Sequence, residues 1–348
     1  MLRPNTAAPV LAVIFFCAAS TFLGASAQRV HLNPKFAVGQ VLRYQITTRT
    51  LTTSNTTTPI VDSQSASQLK QTLLMQIRLE VLSVQPAPQA SNATVRLRAT
   101  YEKASASSET ESYDPEAAQA VDQFNRLEGR SVEFTIDSAG KLSHIQGLDD
   151  LLANPVASTS IRSSIAGISA SAQFPPEGIV IGQKWTSEQP LENAPLAGLV
   201  TRTDSSYVRD EAIAPLPEPV IDSIADSAGT SPAPSSETDA APAPPPAAAP
   251  AKSIPCASIV TKFEIFRHGS AHGDATPPDY LHNGLRTSGT WTGSGESLED
   301  IALDTGLLVR STQTSSQNMD FEIVSPTTGS KIHYVGRVES QSEVLLLP

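Results

Sequence analysis

Two cysteines, Cys17 and Cys256, are all that the 348-residue chain contains. A disulfide framework is excluded, so stability has to come from an apolar core, which a chain of this length is long enough to build. Cys256 lies beside an apolar run and reads as a small buried hydrophobe, not a reactive thiol. Aromatic residues make up 5% of the chain, which leaves nothing to spare for a base-stacking platform. Basic residues are also in short supply, 24 against 35 acids, for a net charge of −11. Nucleic acid and anionic lipid would both be repelled, and neither is expected as a partner. No Gly-Lys-Ser or Gly-Lys-Thr occurs, which excludes a P-loop. Gly293-Ser294-Gly295 lacks the Gly-x-Ser-x-Gly spacing of a nucleophile elbow. These absences point away from an enzyme, and no cofactor is expected.

A long apolar run occurs only at the N-terminus. Arg3 precedes an apolar stretch from Ala7 to Leu23, and Ala25-Ser26-Ala27 sets small residues where a signal peptidase cleaves. The run is shorter than the ~20 residues of a spanning helix. Residues 1–27 are therefore expected to be a signal peptide removed after Ala27, with export to the periplasm or the exterior of a bacterium. Cys17 follows Phe15 and Phe16 and is no lipidation site. Arg3 is the only charged side chain in that segment, so removal leaves 23 bases against 35 acids, a net charge of −12. No later segment approaches the length of a membrane span.

What the chain does have is alternation. Leu69, Leu73, Met75, Ile77, Leu79 and Val81 share one phase with Gln71, while Lys70, Thr72, Gln76, Arg78 and Glu80 occupy the other. Val95, Leu97, Ala99 and Tyr101 alternate with Arg96, Arg98, Thr100 and Glu102, and Val132, Phe134 and Ile136 with Glu133, Thr135 and Asp137. Period-two strands with one polar face, joined by short loops, predict an antiparallel meander. Two helices are expected against it. One spans 115–128, started by Asp114 and Pro115 and ended at Gly129; the other spans 148–170, broken near Pro155.

The pattern recurs. Phe36-Ala37-Val38-Gly39-Gln40-Val41-Leu42 is echoed by Ile179-Val180-Ile181-Gly182-Gln183-Lys184-Trp185. Phe134-Thr135-Ile136-Asp137, with Gly140 and Leu142, is echoed by Ile301-Ala302-Leu303-Asp304, with Gly306 and Leu308. Two related halves, 28–176 and 177–348, are expected. The stretch 211–255 holds 11 of the 27 prolines, including Ala241-Pro242-Ala243-Pro244-Pro245-Pro246, and reads as a disordered Pro/Ala-rich loop inside the second half. The expected fold class is mainly β: an antiparallel meander, half-barrel or sandwich-like, in two related halves with two covering helices.

The pattern Phe36-x-x-Gly39-x-x-x-x-Tyr44, the charged alternating strands and the Asp-x-x-Gly hairpins resemble exported bacterial β-rich proteins of unknown function. Their layout is similar to that of the half-barrel lipoprotein carriers. The resemblance implies a curved antiparallel sheet wrapped round helices, with room for an apolar ligand.

Candidate sites are few. Tyr44, Tyr101, Trp185, Phe263 and Trp291 are the strand aromatics placed to line an apolar pocket, although strand aromatics are more often plain core. His268, His272 and His282, with Asp274, carry imidazole and carboxylate ligands suited to zinc, in a Gly/Pro-rich loop. Arg267-His268-Gly269 resembles the phosphohistidine motif of the histidine phosphatases, but that family needs a helix directly after it, and here a loop follows. The acid pairs Asp149-Asp150 and Glu299-Asp300 read as charge at a helix start and as a polar strand or hairpin position. The expected function is non-catalytic: a binding or carrier module for an apolar ligand. A structural protein with an envelope protein partner, and a metal-dependent or phosphate-handling hydrolase on the 268–282 loop, are the alternatives.

Overall fold

The computed structural model describes residues 29–58, 61–85, 94–110, 115–137, 142–151, 161–162, 164–165, 168, 174–191, 194–214, 253–270 and 273–348. The expected signal segment 1–27 and most of the expected 211–255 loop lie outside them. Eleven strands form one antiparallel open sheet. In chain order they are β1 (Val41–Thr58), β2 (Val61–Gln85), β3 (Thr94–Thr110), β4 (Ser131–Asp137), β5 (Leu142–Gln146) and β6 (Lys184–Pro190). They continue with β7 (Leu199–Ile213), β8 (Ile254–Arg267), β9 (Arg286–Ala302), β10 (Leu308–Val324) and β11 (Lys331–Leu347). The sheet order is β5-β4-β3-β2-β1-β11-β10-β9-β8-β7-β6. The chain thus builds outward from the centre to one edge, crosses to the other edge, and returns until β11 pairs with β1. One sheet, not a two-sheet sandwich, is the outcome.

The alternating residues explain the burial. Met75, Ile77, Leu79 and Val81 of β2 are all buried, as are Leu97, Ala99 and Tyr101 of β3 and Val132, Phe134 and Ile136 of β4. On β3 the phase then changes. Gln76 pairs with Lys103 but Ile77 pairs with Tyr101, so Glu102 is an extra residue. Beyond it the inward positions become Ala104 and Ala106. A bulge moves every later side chain to the other face, and here it keeps small apolar residues inside. Glu102, pushed outward, accepts a hydrogen bond from Arg43 Nε at 2.9 Å.

Inner-face residues of both halves share one core. Tyr101 and Phe134 from one half, and Tyr207 and Ile259 from the other, join Leu32, Leu148, Ile161 and Ile165 in a single cluster. The sheet therefore curls round its contents. Helix α1 (Pro115–Asn125) buries Phe124 and sits on β3, where Asn125 Oδ1 accepts from the Ala106 amide at 2.6 Å. It ends short of the expected 128. Leu127 is buried from the following turn, which Gly129 closes at φ 75° with its amide donating to the Tyr101 carbonyl at 2.8 Å. Helix α2 is Leu148–Leu151, and among the described residues beyond it Ile161, Arg162, Ser164, Ile165 and Ile168 are helical. Helix α3 (Pro278–His282) leads into β9.

The two Gly-Gln segments are built alike. Gly39 and Gly182 have φ of 79° and 84°, a region open to glycine at no steric cost. The Gly39 amide donates to Val81 O at 2.9 Å and the Val81 amide to Gln40 O at 2.9 Å; Gly182 donates to Tyr207 O at 2.7 Å and Tyr207 to Gln183 O at 3.0 Å. Gln40 and Gln183 each accept, on the side-chain oxygen, an amide three residues earlier at 3.1 Å. Each second strand then bulges just past the residue so held, between Val81 and Ser83 and between Tyr207 and Arg209. Strands β7 and β8 pair out to Ile213 and Ile254, so the ends of the 211–255 stretch are ladder and not loop.

Candidate functional site

Above the shared core the inner face changes character. The core row runs Tyr207, Ile259, Glu299, Ser311, Val344, Ile46 and Met75 across seven strands. The next row out reads Trp185, Ser205, Thr261, Ser297, Gln313, Ser342, Thr48 and Leu73. Further along the same strands, and with Leu196 from the segment before β7, a second apolar cluster forms, with Leu196, Leu199, Ile265 and Phe321 buried and Phe263, Trp291, Met319 and Tyr334 packed on it.

Between the two cores lies a cleft of about 300 Å³. Its apolar walls are Phe174, Trp185, Ile259, Phe263 and Ile265, and its polar floor includes Thr261, Ser297, Glu299 and Gln313. Phe174 and Trp185 meet edge to face, with ring centroids 5.8 Å apart at 63°. Phe263 owes its place to Gly295, which pairs with it across the ladder. A Cβ at Gly295 would come within 2.6 Å of the Phe263 ring and collide with the Thr314 carbonyl. A glycine there lets an aromatic ring lie over the neighbouring strand.

Glu299 is the ionisable group of this cleft. It shares the inner phase with Ile301, the next inner residue along β9, and stands between Ile259 and Ser311 on the neighbouring strands. Burial pushes its carboxyl from 4.5 up to about 7, against which a 3.4 Å hydrogen bond from Ser297 Oγ acts weakly. Among the described residues it has no Lys, Arg or His partner within ion-pair distance. The adjacent Asp300 contrasts with it. Asp300 is fully buried on the other face and accepts from Arg310 Nη2 at 2.8 Å, Arg310 Nε at 2.9 Å and Ser258 Oγ at 2.7 Å. One acid is matched and its neighbour is not.

Of the five aromatic candidates, the structure brings Trp185 and Phe263 to the cleft. Trp291 lies in the adjoining cluster and donates from Nε1 to Gln317 Oε1 at 3.1 Å. Tyr44 and Tyr101 are buried in the main core. Tyr44 donates its hydroxyl to the Leu308 carbonyl at 3.0 Å, whereas the buried Tyr101 hydroxyl has no hydrogen-bond partner among the described residues. Burial raises the pKa of both phenols.

The metal candidates are spread out. The exposed His268 ring stands 3.8 Å from Glu188 and edge-on to Phe266, Asp274 accepts from the Thr276 amide at 3.0 Å, and His282 closes α3. His272 lies outside the described residues. Among the described residues, no group of three or more His, Cys, Asp or Glu is placed to hold a metal ion. Cys256 is buried against Ala302 and Val309, and burial, with Asp300 nearby, pushes its thiol up to about 12.

A second, wider groove of about 790 Å³ lies on the opposite face, where Arg49, Lys70 and Lys262 alternate with Glu264, Glu296 and Glu339. Some of its charges are already matched: Lys70 with Glu109 at 3.1 Å and Glu339 with Arg337 at 2.6 Å. It behaves as a solvated sheet face.

In sequence Glu299 stands beside Asp300 as one of a polar pair, which hides it. Its phase is the signal that could have found it. Counting back by two from Ile301 gives Glu299, Ser297, Gly295, Gly293 and Trp291, an inner row in which one carboxyl stands among small and apolar residues.

No family model matches the chain, and no curated protein matches it. Among solved structures it is similar to one described as "lipid-protein interactions in lipovitellin", at 10% identity and a TM-score of 0.40, over 90% of this chain and 26% of that one. It also aligns with OccK11 (OpdR) of Pseudomonas aeruginosa at 6% identity and a TM-score of 0.16, over 90% of this chain and 100% of that one. The chain spans about a quarter of the lipovitellin chain it matches. Likeness at this level bears on neither fold nor function.

Proposed function

We propose that the protein is an exported, non-catalytic binding protein whose inner cleft takes a small apolar or amphiphilic ligand. The observation that carries this reading is the cleft itself. It is a space of about 300 Å³ between two packed cores, with Phe174, Trp185, Ile259, Phe263 and Ile265 as walls. That size and lining match the lower end of small-molecule sites, which are mostly apolar with a few placed polar groups. The hydroxyls of Ser205 and Thr261 bond to each other at 2.9 Å, which leaves neither set up as a nucleophile beside a base. Export is supported by the Arg3, Ala7–Leu23 and Ala25-Ser26-Ala27 pattern.

Mass spectrometry of solvent extracts of the protein, purified from its native compartment, tests the reading. A stoichiometric apolar or amphiphilic molecule is the expected result. An extract without one, together with no change in Trp185 fluorescence on titration with alkyl probes, refutes it. The intact mass of the same sample shows whether the chain begins at Gln28.

A further inference from the structure

We propose that the occupant of the inner cleft carries an alkylammonium head seated at Glu299, with its chain running along Ile259, Phe263 and Ile265. This deepens the binding reading above and rests on it. The first observation is the isolation of Glu299. The residues around it are Ile259 on β8, Ser297 on its own strand, Ser311 and Gln313 on β10 and Trp185 on β6, none of them ionisable. A half-buried, desolvated carboxyl without a counter-charge is costly, and a ligand cation supplies the missing partner.

The second observation is the aromatic wall. The Phe174–Trp185 pair and Phe263 line the same cleft as the carboxyl. Aromatic faces attract ammonium groups, Trp most strongly, and the attraction grows when the cation is desolvated. The third is charge. A chain of net −11 with a carboxyl at the head position repels a fatty carboxylate, while the apolar wall gives the chain of an amphiphile the same contact whatever its head. An alkylammonium is the head group that satisfies all three.

The test compares decyltrimethylammonium, decanoate and decanol at monomeric concentrations, read by quenching of Trp185 in a Trp291→Phe background. The ammonium should bind at least about tenfold tighter than the other two. Glu299→Gln should cut the ratio between ammonium and decanol to the few-fold preference that the aromatic wall gives by itself. A second measurement needs no change at Glu299. Binding of the ammonium at pH 7 should release protons, seen by calorimetry in two buffers of different ionisation enthalpy, and binding of decanol should release none. Tighter binding of decanoate, an ammonium preference undiminished in Glu299→Gln, or the absence of proton release overturns the head-group assignment and leaves the cleft as a binding site. Failure of all three probes to bind overturns the cleft reading itself.

Discussion

Replacing Glu299 by Gln should make the fold less sensitive to rising pH, and the size of the change follows from the position of the side chain. Burial moves this carboxyl from 4.5 in the unfolded chain up to about 7 in the fold. Below the unfolded value both states hold the proton and the shift has no effect. Between the two values the unfolded chain releases its proton while the folded one retains it, so stability falls as pH rises. Above pH 7 both states are ionised and the loss is complete, about 3 kcal/mol for a shift of this size. The cleft is open to solvent along one side, which screens the carboxylate, so the measured loss should be about 1–3 kcal/mol. Gln is nearly isosteric and does not titrate. Urea unfolding of both proteins at pH 4, 6 and 8, with the slope on urea held in common, gives the difference directly. The two stabilities should converge relative to each other at pH 4, and the variant should gain about 1–3 kcal/mol on the wild type by pH 8. Curves that stay parallel across this range would falsify the claim that Glu299 is desolvated and unpaired.

Three further outcomes follow from the same geometry. Arg310→Met leaves the fully buried Asp300 with only Ser258 and should cost about 3–5 kcal/mol in urea unfolding, whereas Arg337→Met, at an exposed pair, should cost under about 1 kcal/mol. Gly295→Ala drives a Cβ into the Thr314 carbonyl and the Phe263 ring and should cost about 2–3 kcal/mol with a change in the Phe263 ring environment by NMR, while Gly182→Ala, with open space but φ 84°, should cost only about 1–2 kcal/mol. Cys256, buried and with its thiol pushed up to about 12, should resist a thiol reagent at pH 8 in the native protein and react in urea. One thiol per chain in urea fits removal of residues 1–27 and two thiols fit retention of Cys17.

Much of the fold was legible because strand alternation is local. Which side of β2 and β4 faces inward needs only the run of residues along each strand, and Met75, Ile77, Val132 and Phe134 lie where the period-two pattern places them. The Gly-Gln segments were legible for the same reason, since a left-handed glycine and a side chain bonding three residues back are short-range events. Tyr44 and Tyr101 show where local reading stops. An aromatic on the inner face of a strand looks the same in sequence whether it meets a cleft or a filled core, and the difference lies in what packs above it.

The sequence by itself determined the strand character, the inward phase of the regular runs and the surplus of acids, because each depends on neighbours a few residues apart or on composition alone. The tertiary structure decided the rest. Pairing of β1 with β11 joins residues nearly 300 apart, and Tyr44 reaches the carbonyl of Leu308 across 264 positions. The bulge at Glu102 switches the inward phase of β3 through its partner strand. Glu299 acquires its chemistry only when β6, β8 and β10 bring Trp185, Ile259 and Ser311 around it. Burial and the absence of a counter-charge are properties of assembled strands, and no single strand carries them.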